Sequence, residues 1–339
     1  MNTTTKNYIK GIFATLVIML ATQGTLYTPT AQHTEKMDYT YLFNWLNRAR
    51  ENGILPIKIE SYADIVNLFD ISLKLIYEEL CLEECPVNVA YSDGWNGATT
   101  PNTLGLGSTY ALENINDYNN PDAVWVRIKD APEKFVGKTY SYEDMLKLII
   151  GWAKYRTKTL DVPSGKVVTN KTILEHMFEK LQGAELTPNE FSAIFCAVYN
   201  SPDKNLKGLC SFISENYQDK IKCANQIMNW TNADAFTPRC INETLFFLNT
   251  DGYCNTVENM TNTKRGSCIN VPGLKKQKIT SENYVEYSNY CKDKFLAAKT
   301  GTKIKDTEQG LEKYFKDNNK KFLSKPILFT YNNKSFSNR

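Results

Sequence analysis

An α+β fold is predicted: a small antiparallel sheet lobe over about 86–130, a larger helical lobe over about 140–296, and a cleft between them. Two observations lead there. Between residues 87 and 128 the apolar positions alternate with period two and are broken by turn pairs, as half-buried strands require. On both sides of that stretch apolar residues recur at three- and four-residue spacing, several times behind a helix-capping signature.

The elements follow in order. Lys6 and Lys10 precede the short apolar run Gly11–Ala21, and small residues follow at Ala21–Gly24 and Pro29–Ala31. This reads as an export signal over 1–31, or an uncleaved anchor, since eleven apolar positions fall short of the ~20 that span a bilayer. Tyr39, Leu42, Phe43, Leu46 and Ala49 predict a helix within an extension at 32–61, stopped by Gly53. Ile65, Leu68, Phe69, Leu73, Ile76 and Leu80 predict a second helix over Tyr62–Leu82, which Cys85-Pro86 ends because proline disfavours helix in the residue before it. Val87, Val89 and Tyr91, then Leu104 and Leu106, then Val124, Val126 and Ile128 predict a small sheet, with turns at Asp93-Gly94 and Asn96-Gly97. From Ser141 onward the pattern is helical, opened by the capping box Ser141-Tyr-Glu-Asp144 and resumed by Thr187-Pro-Asn-Glu190. Residues 201–240 are polar, carry cysteines and read as an insertion; helical patterns return at Thr244–Leu248 and Ser281–Leu296. The tail, 297–339, is polar and basic.

Composition excludes several functions. Hydrophobic content of 42% and charged content of 23% are those of a globular chain. A net charge of +3, without an arginine patch interleaved with aromatics, argues against nucleic acid as a partner. Nine cysteines suit an exported, disulfide-permissive setting, but the number is odd and sequence does not give the pairing. Without C-x-x-C, and with His33 and His176 as the only histidines, no metal or other cofactor is expected. Asn-x-Ser/Thr triplets at Asn170, Asn229 and Asn242 are expected by chance in so Asn- and Thr-rich a chain.

The chemistry-bearing stretch is Glu84-Cys-Pro-Val-Asn-Val-Ala-Tyr91-Ser-Asp93, followed by Thr103-Leu-Gly-Leu-Gly107. Glu84 stands where a helix runs out, and Asp93 lies nine positions on, in a turn. Two carboxyls so placed can act as acid and base on opposite sides of one glycosidic bond. Glu84 would donate the proton, which requires burial or a neighbouring negative charge to keep it protonated. Asp93 would stay ionised and manage water. Glu83, next in sequence, competes for the acid role.

These segments resemble the phage-type lysozymes of glycoside hydrolase family 24. The resemblance rests on three ordered motifs over roughly 62–295: Glu84 with Tyr91-Ser-Asp93 and Thr103–Gly107; Leu186-Thr-Pro-Asn-Glu-Phe-Ser-Ala through Tyr199-Asn200; and Thr244-Leu, Leu248-Asn249, Gly252-Tyr253 and Gly273-Leu-Lys-Lys276. It implies a lysozyme-like catalytic domain over 62–296. It also implies a muramidase cutting the β-1,4 bond between N-acetylmuramic acid and N-acetylglucosamine, with the inverting course of the family's phage members. Thr103 would hold the water, and Thr109, Tyr199, Thr244 and Asn259 would contact the sugar chain. The implied partner is peptidoglycan, met by a monomer that is periplasmic, extracellular or held at the membrane through its N-terminal segment alone.

The chain departs from the pattern at several points. The loop from Asp93 to Thr103 is four residues longer than usual, so Thr99 sits at the family's distance from Asp93 while Thr103 keeps its strand context. Ser108 stands where histidine is frequent, Lys275, Lys276 and Lys278 stand for arginines, and Met260 lies near the position of a tryptophan. These departures keep a second expectation open, a catalytically degenerate wall-binding or structural protein on the same scaffold. The sequence does not separate a phage or mobile-element role from a cellular one. A transglycosylase is disfavoured because Asp93 would then have no water to manage.

Overall fold

The computed structural model describes residues 56–84, 87–92, 99–162, 165–248, 260–261, 271, 273–297 and 301–302. All fall in the second of the chain's two units, 46–339, the first being 1–45. The expected leader at 1–31, the helix at 39–49 and the tail beyond 302 lie outside the described residues.

Strand β1 (Ile57–Lys58) leads into helix α1 (Tyr62–Glu84). The Asp64 carboxylate accepts from the Ser61 and Glu60 amides at 2.7 and 3.1 Å, satisfying donors that the first turn leaves open. Ile65, Leu68, Phe69, Ser72, Leu73, Ile76, Tyr77 and Leu80 then form one enclosed stripe at helical spacing. The sheet region follows as β2 (Val87–Tyr91), β3 (Thr103–Gly105), β4 (Tyr110–Leu112) and β5 (Trp125–Arg127).

These strands are not one continuous sheet, as the alternation suggested. They form two antiparallel pairs, β2 with β3 and β4 with β5. The reason is local. Leu104 and Ser108 exchange backbone hydrogen bonds at 2.9 and 3.0 Å, so the chain turns back at once through Leu106. Gly105 and Gly107 occupy positive φ, of 63° and 75°, which side-chain-bearing residues rarely adopt. Leu106, expected in a strand, therefore sits in a turn.

Helix α2 (Tyr142–Lys154) begins at the expected box, with Ser141 capping and Asp144 reaching back. The chain is not helical throughout after it: β6 (Thr157–Val162) and β7 (Gly165–Thr172) form an antiparallel hairpin. Thr157, Thr159, Val162, Val167 and Val168 around Pro163-Ser-Gly165 are a strand-and-turn signal that the helical reading passed over. A third capping box, Thr172 with Glu175, opens α3 (Ile173–Leu181). Strand β8 (Glu185–Leu186) pairs antiparallel with β1, and α4 (Pro188–Asn200) starts at the expected Thr187/Glu190 box.

Helices α5 (Pro202–Lys207), α6 (Leu209–Asn216) and α7 (Lys220–Met228) occupy the stretch read as an insertion, and α8 (Thr237–Phe247) begins at its end. That stretch is instead part of the core: Leu206, Leu209, Cys210, Ile213, Cys223, Ile227 and Trp230 belong to the main buried cluster. Strand β9 (Met260–Thr261), helix α9 (Tyr284–Ala297) and strand β10 (Gly301–Thr302) complete the described elements. Cys196, Cys210, Cys223, Cys240 and Cys291 are buried thiols outside any disulfide.

Helix α4 is the centre of the fold. Pro188 through Val198 are all enclosed, and α1 and α8 pack against it. Phe69 meets Phe195 at 5.2 Å between ring centroids, and Trp152 of α2 meets Phe195 edge-on at 5.8 Å. Each fully enclosed Leu, Ile or Phe in such a stack contributes about 1.5–3 kcal/mol. On the sheet side, Trp125 seats against Gly151 of α2. A Cβ there would lie 2.7 Å from the Trp125 ring and 2.8 Å from the Tyr118 carbonyl oxygen. Gly151→Ala is therefore expected to lose about 1–3 kcal/mol to overpacking, despite the ~1 kcal/mol helix-propensity gain; urea midpoints check this.

Candidate active site

Glu84 ends α1, and its carboxyl meets two elements. One oxygen, Oε1, is ion-paired with Arg239 of α8. The other lies on Gly107: a Cβ at that glycine would stand 2.8 Å from the Glu84 Cδ, so only glycine lets the β3–β4 turn approach so closely. The Glu84 side chain is 20% exposed.

Arg239 is enclosed and organises everything behind Glu84. Its Nε donates to Glu243 Oε1 at 3.0 Å, its Nη2 donates to the Cys196 carbonyl at 2.9 Å, and Nη2 lies 3.1 Å from Glu83 Oε2. Glu243 Oε2 accepts from the Trp230 indole at 2.5 Å, and Glu83 Oε1 from the Asn242 amide at 3.2 Å. Glu79, one turn before Glu83, is also fully enclosed, and neither of its oxygens has a hydrogen-bond partner by geometry; the Cys196 thiol beside it is a weak donor at best. One guanidinium thus faces four carboxyls.

The charges respond accordingly. Burial, with Glu243 nearby, pushes Glu79 well above the usual carboxylate range. Burial does the same to Glu83 against the pull of Arg239. Glu243 is pushed up to about 7 by burial, in spite of Arg239 and the Trp230 bond. For Arg239, burial works against the charge, but Glu83, Glu84 and Glu243 hold the guanidinium firmly ionised.

Tyr199, at the last turn of α4, packs on Trp152 at 4.8 Å between centroids. Burial raises its hydroxyl pKa, and the Glu84 charge adds to this, while the Ser108 side chain pulls the other way. The structure therefore brings together Glu84, the Gly107–Ser108 turn, Tyr199 and Arg239. Glu83 and Glu84 point apart, the first wholly enclosed and the second toward the turn, so only Glu84 keeps an opening.

The other expected residues are placed as follows. Asp93 and Asn259 lie outside the described residues. Thr103 sits opposite Tyr91 in the β2–β3 pair, 3% exposed, and its hydroxyl donates to Asn102 Oδ1 at 3.0 Å. Thr99 and Thr109 are exposed. Thr244 does not fit a sugar-contacting role: it is fully enclosed, and its hydroxyl donates to the Cys240 carbonyl of its own helix at 2.7 Å. Lys276 donates to the Thr231 carbonyl, and the cation on Glu84 is Arg239.

The chain matches no family model, no curated protein and no solved structure. Among the described residues no helix is long and apolar enough to cross a membrane, and no three His, Cys, Asp or Glu side chains are grouped to hold a metal ion.

The acid cluster predicts an unusual pH dependence. With Glu243 moved from 4.5 to about 7, the native protein binds more protons than the unfolded chain between those values. Stability should thus be highest near about pH 4.5 and fall as pH rises to neutrality, with Glu79 and Glu83 extending the fall further. Glu79→Gln, which keeps the neutral shape, should flatten the decline. Urea midpoints from about pH 5 to about pH 8 measure it, and a midpoint that climbs over that range would contradict the cluster.

Proposed function

We propose that the chain is an exported peptidoglycan hydrolase, a muramidase with a lysozyme-like two-lobed fold. The observation that carries this reading is the meeting of motif segments far apart in sequence. The Glu84 carboxyl at the end of α1 abuts Gly107, and Tyr199 lies alongside. In the proposed reaction Glu84 protonates the leaving glycosidic oxygen. Asp93 stays ionised and activates the water, with Thr103 as its hydroxyl partner, and the sugar carbon inverts. Because an ion pair favours the ionised carboxyl, Arg239 must loosen its hold before Glu84 can carry the proton it donates, and Glu83 and Glu243 stay within 3.1 and 3.0 Å of the guanidinium when it does.

The same Arg239 contact favours a second reading, a lysozyme-like protein that binds the wall without cutting it. A carboxyl committed to a guanidinium is a structural anchor, and the lengthened Asp93–Thr103 loop and Ser108 fit that role too.

Clearing of a peptidoglycan suspension, with release of reducing ends, separates the two. Wild type should clear, and Glu84→Gln should lose about 10²–10⁴-fold in rate, the usual share of a general acid. Equal clearing by both would remove Glu84 from the mechanism. Pull-down by insoluble peptidoglycan with no sugar released would favour the second reading.

A further inference from the structure

A pocket of about 250 Å³ opens beside the sheet pairs, bounded by Tyr110 of β4, Pro121, Trp125 of β5, Tyr155 and Arg156 between α2 and β6, and Thr157 at the start of β6. Arg156 is its charged group. Its Cζ lies 3.7 Å from the centroid of the Tyr110 ring, and Arg127, opposite Tyr110 in register, approaches the same ring at 5.9 Å. The Tyr110 ring lies against the guanidinium and its hydroxyl shares a hydrogen bond with it, while Arg156 also lines the pocket. Among the described residues no carboxylate pairs with Arg156; Asp70, which acts on neighbouring Tyr155, is held by Lys154 at 2.5 Å. Burial works against the Arg156 charge, with only the Tyr110 and Tyr199 hydroxyls offsetting it. A half-buried cation at the wall of an open pocket, without its anion, is built to receive one.

The pocket adjoins the Glu84 site. Ser108 Oγ donates to the Tyr110 carbonyl at 2.6 Å, which ties the Gly107 turn to the pocket wall. Tyr199 feels both Glu84 and Arg156. We propose that this pocket binds a carboxylate-bearing saccharide. Arg156 takes the carboxylate edge-on, Trp125 and Tyr155 pack the sugar, and Tyr110 is a positioning residue that holds the guanidinium plane. Resting on the hydrolase reading, the ligand is the acid-substituted sugar of a peptidoglycan strand, its carboxylate carried by the lactyl ether or by the attached peptide.

The whole chain is titrated by tryptophan fluorescence with N-acetylmuramic acid, N-acetylmuramoyl-L-alanyl-D-glutamate, N-acetylglucosamine and inorganic phosphate. Binding of N-acetylmuramic acid assigns the lactyl carboxylate, and binding of the peptide form alone assigns the peptide. Either should exceed N-acetylglucosamine by about tenfold and fall by about tenfold in Arg156→Gln, as loss of a charge-assisted pair requires. Arg156→Lys, which keeps the charge without the planar edge, should fall in between. N-acetylglucosamine or phosphate binding as tightly as the acid sugars would overturn the proposal, and so would unchanged binding by Arg156→Gln. The comparison of ligands on wild type needs no variant to fold. A protein that binds the acid sugars but never clears peptidoglycan would lose the hydrolase reading and keep this site.

Discussion

Arg239 sets the terms for the rest of the structure. Its guanidinium joins the end of α1, a carbonyl of α4 and the first turns of α8, the three helices that pack at the centre. Removing one partner from a buried ionic network costs about 3–5 kcal/mol, because the other is left charged and unsolvated. A single positive charge, however, balances only one negative charge, and four carboxyls surround it. The surplus must be neutralised by protons, which is why Glu79 and Glu83 are displaced so far from ordinary carboxyl behaviour. The cluster is held together as much by protons as by ion pairing.

That arrangement bears on what Glu84 can do. Of the four carboxyls it alone has an opening to solvent, and it alone touches the glycine turn. When Glu84 changes charge, Arg239 is not orphaned, because Glu243 and Glu83 stay within 3.0 and 3.1 Å of it. Glu243, poised at about 7, can take up the difference. In the proposed reaction Glu84 would cycle its proton, and a shared cation with spare partners would let it do so without stripping Arg239 of its partners.

Helix α1, the Ser141 and Thr187 caps and the sheet-forming character of 87–128 were readable from the sequence because each rests on local chemistry: an apolar stripe, a hydroxyl with an acid three residues on, alternation between turns. The ion cluster was not recognised, although its signal is present. The stripe Ser72, Ile76 and Leu80 of α1 continues onto Glu79 and Glu83, and Arg239 and Glu243 are four apart on one helix face. Acidic residues at apolar phase look like solvated positions until the partner helix is known, and that partner lies about 160 positions downstream. Residues 201–240 misled for a related reason. Their three short helices bury a few apolar positions that complete the core, and short helices carry too few turns for the period to stand out.

The charge layout around Tyr199 gives the proposed site a direction. Among the described residues, one side holds a carboxyl cluster that outnumbers its cation, and the other an arginine with which no carboxylate pairs. A ligand carrying its own carboxylate finds the first cation already taken and is drawn to the second, so the two ends of the site are not equivalent for it. The Ser108–Tyr110 bond ties the turn lying on Glu84 to the wall of the Arg156 pocket. In the proposed reaction, binding energy gained at the Arg156 end would be spent on positioning the bond to be cut.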